Sequence, residues 1–495
     1  MILGIDIGTT GTKSILFDDK GTIVTYSYQG YGCYYPHPGW VEQDINDIIG
    51  AVIKTLQDCT AKIPAGDKVH AICASVQSGT VVPLNPDGSP HGHAISWLDT
   101  RCGEECEELL SKYDENFFYR KTGWKLGASF NFIQIYKMRK DDPIGTKNVF
   151  FANVSDIITY FLVGEYISDD NGAGNLQLLN IEEGQWDRDL MDIAEIKDNQ
   201  LGRIVPAGSY IGNIKPETAK LLNLNSDVKV YAGAQDQYCT AVGAGVTHVG
   251  DSMLSTGTSW VFMNINESPA FDDIKYPAVC KHITGGTYAS FVYTPAGGSA
   301  YKWLKNNVMS EGMDDDSVTY DTLTELAKQA PIGSEGLMFL PYLGGTLYPS
   351  WKSDMKGMLY GLDFMHDKRH ISRAVQEGVA FELNLMIEDL RRQGLPISKM
   401  NALGGATRSD FWMQIVSDVT NMPIEASTVA DVAPIGAGVM AAAGAGLYGS
   451  YEEASKAFEC LKDRRYFTPN TESSALYAER FNEYQKLNSL LIANN

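Results

Sequence analysis

Gly4-Ile5-Asp6-Ile7-Gly8-Thr9-Thr10-Gly11-Thr12-Lys13, close to the start of the chain, decides how the rest is read. Ile2, Leu3, Ile5 and Ile7 form a short apolar strand. Gly8 to Thr12 is a turn-forming run, and Lys13-Ser14-Ile15-Leu16-Phe17 resumes an extended pattern. Asp18-Asp19-Lys20-Gly21 makes the next turn, and Thr22-Ile23-Val24-Thr25-Tyr26 reads as a third strand. An antiparallel meander with a Gly/Thr hairpin therefore opens the chain. Glycines let a ligand approach the backbone closely, and successive N–H groups make a concavity that attracts anions. Threonine hydroxyls add donors and Lys13 adds a positive charge. Asp6, at the strand end, can hold Mg²⁺, usually through water. No Walker pattern GxxxxGK[ST] is present here. A plain Gly/Thr hairpin is the alternative reading of the same residues.

The pattern returns half a chain later. Gly250-Asp251-Ser252-Met253-Leu254-Ser255 leads into Thr256-Gly257-Thr258-Ser259, and Trp260-Val261-Phe262-Met263-Asn264 follows as a strand. Two strand–turn–strand units at this spacing suggest an internal duplication, with a period far longer than that of solenoid repeats. The expected domains are 1–245 and 246–495, joined near Gly243 to Thr247. Two facing hairpins would clamp a polyphosphate from both sides. Between the strands, Ile45, Ile48, Ile49, Val52, Ile53 and Leu56 fall on one helical face. Val375, Val379, Leu383, Met386 and Leu390 form another stripe, stopped by Gly394 and Pro396. Tyr477, Phe481, Tyr484, Leu487 and Leu491 mark a C-terminal helix. Strands mixed with amphipathic helices imply α/β layers.

Composition narrows the function classes. The chain has 495 residues and a formal net charge of −21. An acidic protein lacks the basic face that displaces phosphate counterions, so nucleic acid and anionic membranes are poor partners. No apolar run reaches the roughly 18 residues of a membrane span. The most apolar stretch, Ile435 to Tyr448, carries four glycines. The N-terminus has no basic segment of a signal peptide. Eight scattered cysteines offer no paired metal-ligand spacing. His91 and His93 follow the turn Asn85-Pro86-Asp87-Gly88 and read as exposed hairpin residues. Asp314-Asp315-Asp316 reads as a solvated loop. A cytoplasmic, reduced protein is expected.

Two more segments can carry chemistry. In Tyr231-Ala232-Gly233-Ala234-Gln235-Asp236-Gln237, Asp236 lies just past a strand that starts at Lys229. A carboxylate there, among small residues, can take the proton of a hydroxyl attacking a γ-phosphate. Its structural alternative is a helix N-cap for Gln237 to Ala244. In Met400 to Asp410, a strand runs into Gly404-Gly405, and a helix begins at Phe411. Paired glycines before a helix let a flat ring or a phosphate lie against backbone.

Taken in order, these segments resemble the FGGY family of carbohydrate kinases, within the actin–hexokinase–heat-shock-chaperone superfamily. GIDIGTTGTK resembles its first phosphate loop, and Gly39-Trp40-Val41-Glu42-Gln43-Asp44 its GWVEQD segment. Ala94-Ile95-Ser96-Trp97-Leu98-Asp99-Thr100-Arg101 resembles AI-x-W-x-D-x-R, and Asp156 to Asp170 a region around LTGEY. Ala234 to Gln237 is similar to the catalytic G-x-x-D-[NQ] segment. Thr256 to Ser259 is similar to the second phosphate loop, and Gly404 to Ser409 to the adenosine loop. The C-terminal signature runs from Gly357 to Leu362 and from His370 to Glu377, with Gln376 where an apolar residue is expected. The resemblance implies an α/β fold of two ribonuclease-H-like, actin-like ATPase domains with a central cleft for ATP and sugar. It makes Asp236 the general base and Asp6 the Mg²⁺ ligand, directly or through water. It places Thr10, Thr12 and Lys13 on the phosphate path, with Thr256, Gly257 and Thr258 opposite. Gly404, Gly405 and Ser409 would seat adenine and ribose.

The sugar segment departs from the pattern. Many xylulose kinases carry SGQMHG where this chain has Ser75-Val76-Gln77-Ser78-Gly79-Thr80. Ser78-Gly79 replaces the Met-His pair, which opens the expected pocket. Gln77, Ser78, Trp97, Asp99 and Asp236 remain candidates for a polyhydroxylated ligand, with core packing as the alternative for Trp97. The expected activity is ATP-dependent phosphorylation of a small sugar, a ketopentose such as D-xylulose first, then gluconate, a polyol or another ketose. A nucleotide-gated, actin-like or chaperone-like binding protein is the alternative of another class. A homodimer is compatible with the resemblance.

Overall fold

The computed structural model describes residues 1–310, 317–352 and 354–494. The acidic run Asp314 to Asp316 lies outside the described residues. The chain separates into two compact units. The first is Met1–Thr247 with Ala278–Tyr288 and Asp431–Lys462; the second is His248–Pro277 with Ala289–Ala430 and Asp463–Asn495.

In the first unit the sheet contains β1 (Ile2–Ile7), β2 (Gly11–Phe17), β3 (Ile23–Gly30), β4 (Ala71–Val76), β5 (Tyr210–Asn213) and β6 (Lys229–Gln235). Their order is β5-β6-β4-β1-β2-β3. β1, β2 and β3 form the expected antiparallel meander, while β4 runs parallel to both β1 and β6. β1 is buried on both faces, which is why it reads as an unbroken apolar run. The helix Ile45–Thr60, capped by Asp44, packs on this sheet through the fully buried Ile48, Val52 and Leu56.

A second helix, Val432–Gly444, lies directly on β1. Gly4 makes this possible, since a Cβ there would stand 2.1 Å from the Pro434 carbonyl oxygen. Gly436 likewise lets the helix meet the Cys239 carbonyl, 1.8 Å from where a Cβ would sit. The apolar, glycine-rich stretch of the sequence is this close-packed helix. A linear division after residue 245 leaves it with the C-terminal half; its contacts lie with the first unit. Among the described residues no helix is long and apolar enough to cross a membrane.

The second unit repeats the design with β7 (Asp251–Thr256), β8 (Trp260–Asn266), β9 (Tyr288–Thr294), β10 (Lys399–Gly404), β11 (Ile424–Ser427) and β12 (Arg464–Phe467). Their order is β9-β8-β7-β10-β11-β12. β7 and β8 form the hairpin, and β10 runs parallel to β7 and β11. The helix Lys368–Arg392 buries the whole expected stripe Val375, Val379, Leu383, Met386 and Leu390. Gln376, the polar departure from the signature, is also fully buried. Its amide donates to Tyr301 Oη at 2.7 Å, and its backbone carbonyl accepts from Trp412 Nε1 at 3.2 Å. The C-terminal helix, Thr471–Asn494, buries Tyr477, Phe481 and Tyr484.

Candidate active site

Asp6 is the last polar residue of β1, paired across the hairpin with Lys13 and across the parallel ladder with Ser75. Directly opposed residues share a face. Ser75 Oγ donates to Asp6 Oδ1 at 2.7 Å. The turn is closed by Gly8 N donating to the Gly11 carbonyl at 3.0 Å. Tyr31 braces it from β3's end, with Oη donating to the Gly8 carbonyl at 2.6 Å and N donating to the Thr10 carbonyl at 3.0 Å. Thr10 is exposed and Thr12 fully buried. Lys13 Nζ lies 2.6 Å from Asp431 Oδ1.

The segments expected to face the sugar reach the same hairpin. Gln43 Nε2 donates to the Thr9 carbonyl at 2.8 Å, and Gln77 Nε2 donates to Gln43 Oε1 at 2.9 Å. Trp97, about half exposed, donates from Nε1 to Thr9 Oγ1 at 3.0 Å. Ser78 is half-buried. Gly79 has φ +72, and a Cβ there would stand 2.9 Å from Trp97 Cβ. Gly79 therefore admits the close approach of the Trp97 backbone and Cβ. Asp99 is fully buried and its carboxylate is engaged within the protein. It accepts from Val41 N at 2.7 Å and from the Arg101 guanidinium at 2.7 Å. Arg101 also donates to Glu42 Oε1 at 2.9 Å and stacks over Trp40. The GWVEQD and AISWLDTR segments are thus one knot.

Asp236 is delivered by β6. The register of β6 against β4 shifts between Tyr231 and Ala234, and a Cβ on Gly233 would stand 1.7 Å from the Ala74 carbonyl oxygen. Only glycine allows that approach. Gln235 N donates to Asn171 Oδ1 at 3.1 Å, and Asn171 Nδ2 donates to the Lys281 carbonyl at 2.9 Å, fixing the chain just before Asp236. The following helix begins at Asp236 itself, with Gln235 in the N-cap position. Asp236 Oδ1 accepts from Gln237 N at 2.7 Å. β1 and β6 flank β4, so Asp6 and Asp236 emerge at the carboxyl ends of parallel strands, where α/β sheets place their ligands. Burial pushes the Asp236 carboxyl up to about 7, and the charge of Asp6 adds to the rise. Burial also pushes Asp6 up to about 6; the Ser75 hydrogen bond opposes this, Asp431 adds to it, and Lys13 lowers it. A carboxylate with proton affinity near neutrality suits a general base.

In the second unit, Thr256 and Gly404 are register partners on β7 and β10. Thr256 Oγ1 donates to the Leu403 carbonyl at 2.8 Å and accepts from Ala406 N at 3.2 Å. Gly404 has φ +103, and a Cβ there would stand 3.0 Å from Thr256 Oγ1. The hairpin and the paired-glycine loop are therefore one structure, with Gly257, Thr258 and Gly405 exposed on it. Ser409 caps the helix Asp410–Thr420, its Oγ accepting from Trp412 N at 3.2 Å.

Sequence reasoning missed three parts. Gly298 N and Ser299 N donate to the Gly257 and Thr258 carbonyls at 3.1 and 3.0 Å, so Gly297-Gly298-Ser299 backs the second hairpin. A glycine pair after Pro295-Ala296 was the available signal. Asn171 and Asp431 had none, because each acts on a residue remote in sequence. His91 sits on its turn with Nδ1 2.8 Å from Asn85 Oδ1. Among the described residues no three His, Cys, Asp or Glu side chains converge as metal ligands.

Comparison with known proteins gives this geometry its family. Residues 1–243 match the N-terminal domain, and residues 252–445 the C-terminal domain, of the FGGY family of carbohydrate kinases. A xylulose kinase of Staphylococcus epidermidis is 30% identical, the match covering 98% of this chain and 96% of that protein. The crystal structure of gluconate kinase from Lactobacillus acidophilus superimposes with a TM-score of 0.90 at 28% identity, over 99% of this chain and 98% of that one. Ligand-bound xylulose kinase from the same organism gives a TM-score of 0.90 at 27% identity, with the same coverage. Such kinases share the actin-like ATPase fold and use ATP as co-substrate, and on these matches the chain belongs to the FGGY family of carbohydrate kinases.

Proposed function

We propose that this protein transfers the γ-phosphoryl group of ATP to a hydroxyl of a small sugar, with a ketopentose such as D-xylulose as first substrate. The observation that carries the reading is Asp236, held past the end of β6 with its proton affinity raised near neutrality beside Asp6. Asp236 takes the proton of the sugar hydroxyl as that oxygen attacks phosphorus in line. Phosphoryl transfer needs positioning and charge neutralisation more than covalent chemistry. Backbone N–H groups of the first hairpin, with Thr10 and Lys13, hold phosphate oxygens; Thr12, fully buried, pairs instead with Tyr31 Oη. Gly257 and Thr258 do the same in the second unit, while Thr256, buried with its hydroxyl engaged by Leu403 and Ala406, holds that hairpin to the paired-glycine loop. Gly404, Gly405 and Ser409 receive adenine and ribose.

Mg²⁺ fits the donors present. Asp6 offers hard carboxylate oxygen; the negative charge of Asp431 raises its proton affinity, and Asp6 in turn raises that of Asp236. With no cluster of three such ligands among the described residues, the ion would keep several waters. Bound, it neutralises phosphate charge.

Gluconate is the second substrate reading, favoured by likeness to the Lactobacillus acidophilus gluconate kinase. Against it, Arg101 is the only cation of the two sugar segments, and Asp99 and Glu42 engage it. Gln77, Ser78 and Trp97 are neutral, as suits hydroxyls rather than a carboxylate. Measuring kcat/KM for D-xylulose and D-gluconate side by side tests the choice. A higher value for gluconate would reverse it.

A further inference from the structure

Lys13 is the cationic side chain of the first phosphate hairpin, and its position is set from outside that hairpin. Asp431 Oδ1 lies 2.6 Å from Nζ, and the rings of Tyr26 and Tyr28 on β3 each stand 5.9 Å from it. Lysine carries a flexible four-carbon stem, so an unsupported strand lysine would sample many rotamers. Here three groups fix one.

Asp431 is itself held in an uncommon state. It precedes the helix Val432–Gly444 with φ +59 and ψ 42, the left-handed region that non-glycine residues rarely adopt. Residues kept in such conformations concentrate at functional sites, because the surroundings must hold them there. The surroundings here are rigid: the helix is seated on β1 at Gly4 and against Cys239 at Gly436. A carboxylate near a polyphosphate site is electrostatically adverse unless it serves a cation. Asp431 serves Lys13.

We propose that Asp431 is a positioning residue that holds Lys13 Nζ at the first phosphate hairpin, so that the lysine meets nucleotide phosphates with its rotamer already set. The inference rests on the reading of Lys13 as a phosphate ligand. Asp431 then acts on phosphate only through Lys13.

The test is calorimetric titration of the full-length protein, without sugar, with ATP and separately with adenosine. Asp431→Asn removes the charge and tolerates the left-handed backbone; Asp431→Gly removes it with no backbone strain and serves as a second variant. Both should weaken ATP binding about 3- to 10-fold and leave adenosine binding unchanged. Lys13→Met should weaken ATP binding at least as much. In the double variant Lys13→Met/Asp431→Asn, the second substitution should add nothing, since coupled residues are non-additive. Steady-state kinetics should show a higher KM for ATP in Asp431→Asn with the KM for sugar unchanged. ATP binding by both Asp431 variants as tight as wild type would overturn the proposal, as would a loss that persists in the Lys13→Met background. Wild-type ATP affinity in Lys13→Met would remove the phosphate role of Lys13, and the proposal with it.

Discussion

Trp97 Nε1 donates to Thr9 Oγ1 at 3.0 Å, tying the segment proposed to face the sugar to the first Gly/Thr hairpin. The Thr9 carbonyl receives a second tie from Gln43, which in turn accepts from Gln77. Trp97, Thr9, Gln43 and Gln77 are thus a single hydrogen-bonded chain. Trp97→Phe keeps an aromatic ring and removes the donor. One net hydrogen bond is worth about 1 kcal/mol, or roughly 5-fold. We expect kcat/KM for sugar to fall about that much, with more sugar-independent ATP hydrolysis. Unchanged values of both would separate the indole from the chemistry.

The paired carboxylates predict an inverse dependence of stability on pH. The Asp236 carboxyl rises from an ordinary 3.8 to about 7 on folding, chiefly through burial. The native state therefore holds more protons than the unfolded chain across that window, and stability contributed by this group falls as pH rises through it. Asp236→Asn removes the penalty. Its melting temperature should exceed that of the wild type at about pH 8, with the difference shrinking toward about pH 5. The wild-type kcat/KM should fall as pH drops below about 7, since the base must be deprotonated. A pH-independent difference in melting temperature would contradict the burial of this carboxyl.

Gly233 tests how Asp236 is delivered. A methyl group there meets the Ala74 carbonyl oxygen at 1.7 Å, so β6 must move away from β4. Gly233→Ala should cost about 3 kcal/mol in urea unfolding and lower kcat with it. Gly50, exposed on the helix Ile45–Thr60 with nothing within 4 Å of its Cβ position, is the control. Gly50→Ala should stabilise by about 0.5 kcal/mol or more.

Asp99 separates bracing from ligand binding. Its carboxylate is fully buried and paired with Arg101. Asp99→Asn should leave Arg101 short of a counter-charge and cost about 3 kcal/mol. KM for sugar in the folded variant should stay near wild type. A large rise in KM with no loss of stability would return Asp99 to the sugar.

Much of this was legible in the chain itself because local pattern and local chemistry coincide at the two hairpins. Gly8 to Thr12 and Thr256 to Ser259 are turns by composition, and the same composition suits the proposed anion sites. The stripes of Lys368–Arg392 and Ile45–Thr60 follow from period alone. What was not legible depends on contacts made at a distance. Nothing beside Gly4 in the sequence marks the close approach of Pro434 that requires it. Asp99 looks like a polar ligand because sequence does not show Val41 N and Arg101 closing on it. Asp431 carries no local signal at all; its role appears only where Lys13 meets it.

Sugar phosphorylation with Asp236 as base makes turnover depend on both the sugar and that carboxylate. Its most direct measurement is ADP release across a panel of pentuloses, hexuloses, polyols and aldonates, wild type against Asp236→Asn. Sugar-dependent release should be highest with a ketopentose and should fall by at least about 100-fold in the variant while ATP binding persists. Near-normal sugar-dependent turnover in Asp236→Asn would contradict it.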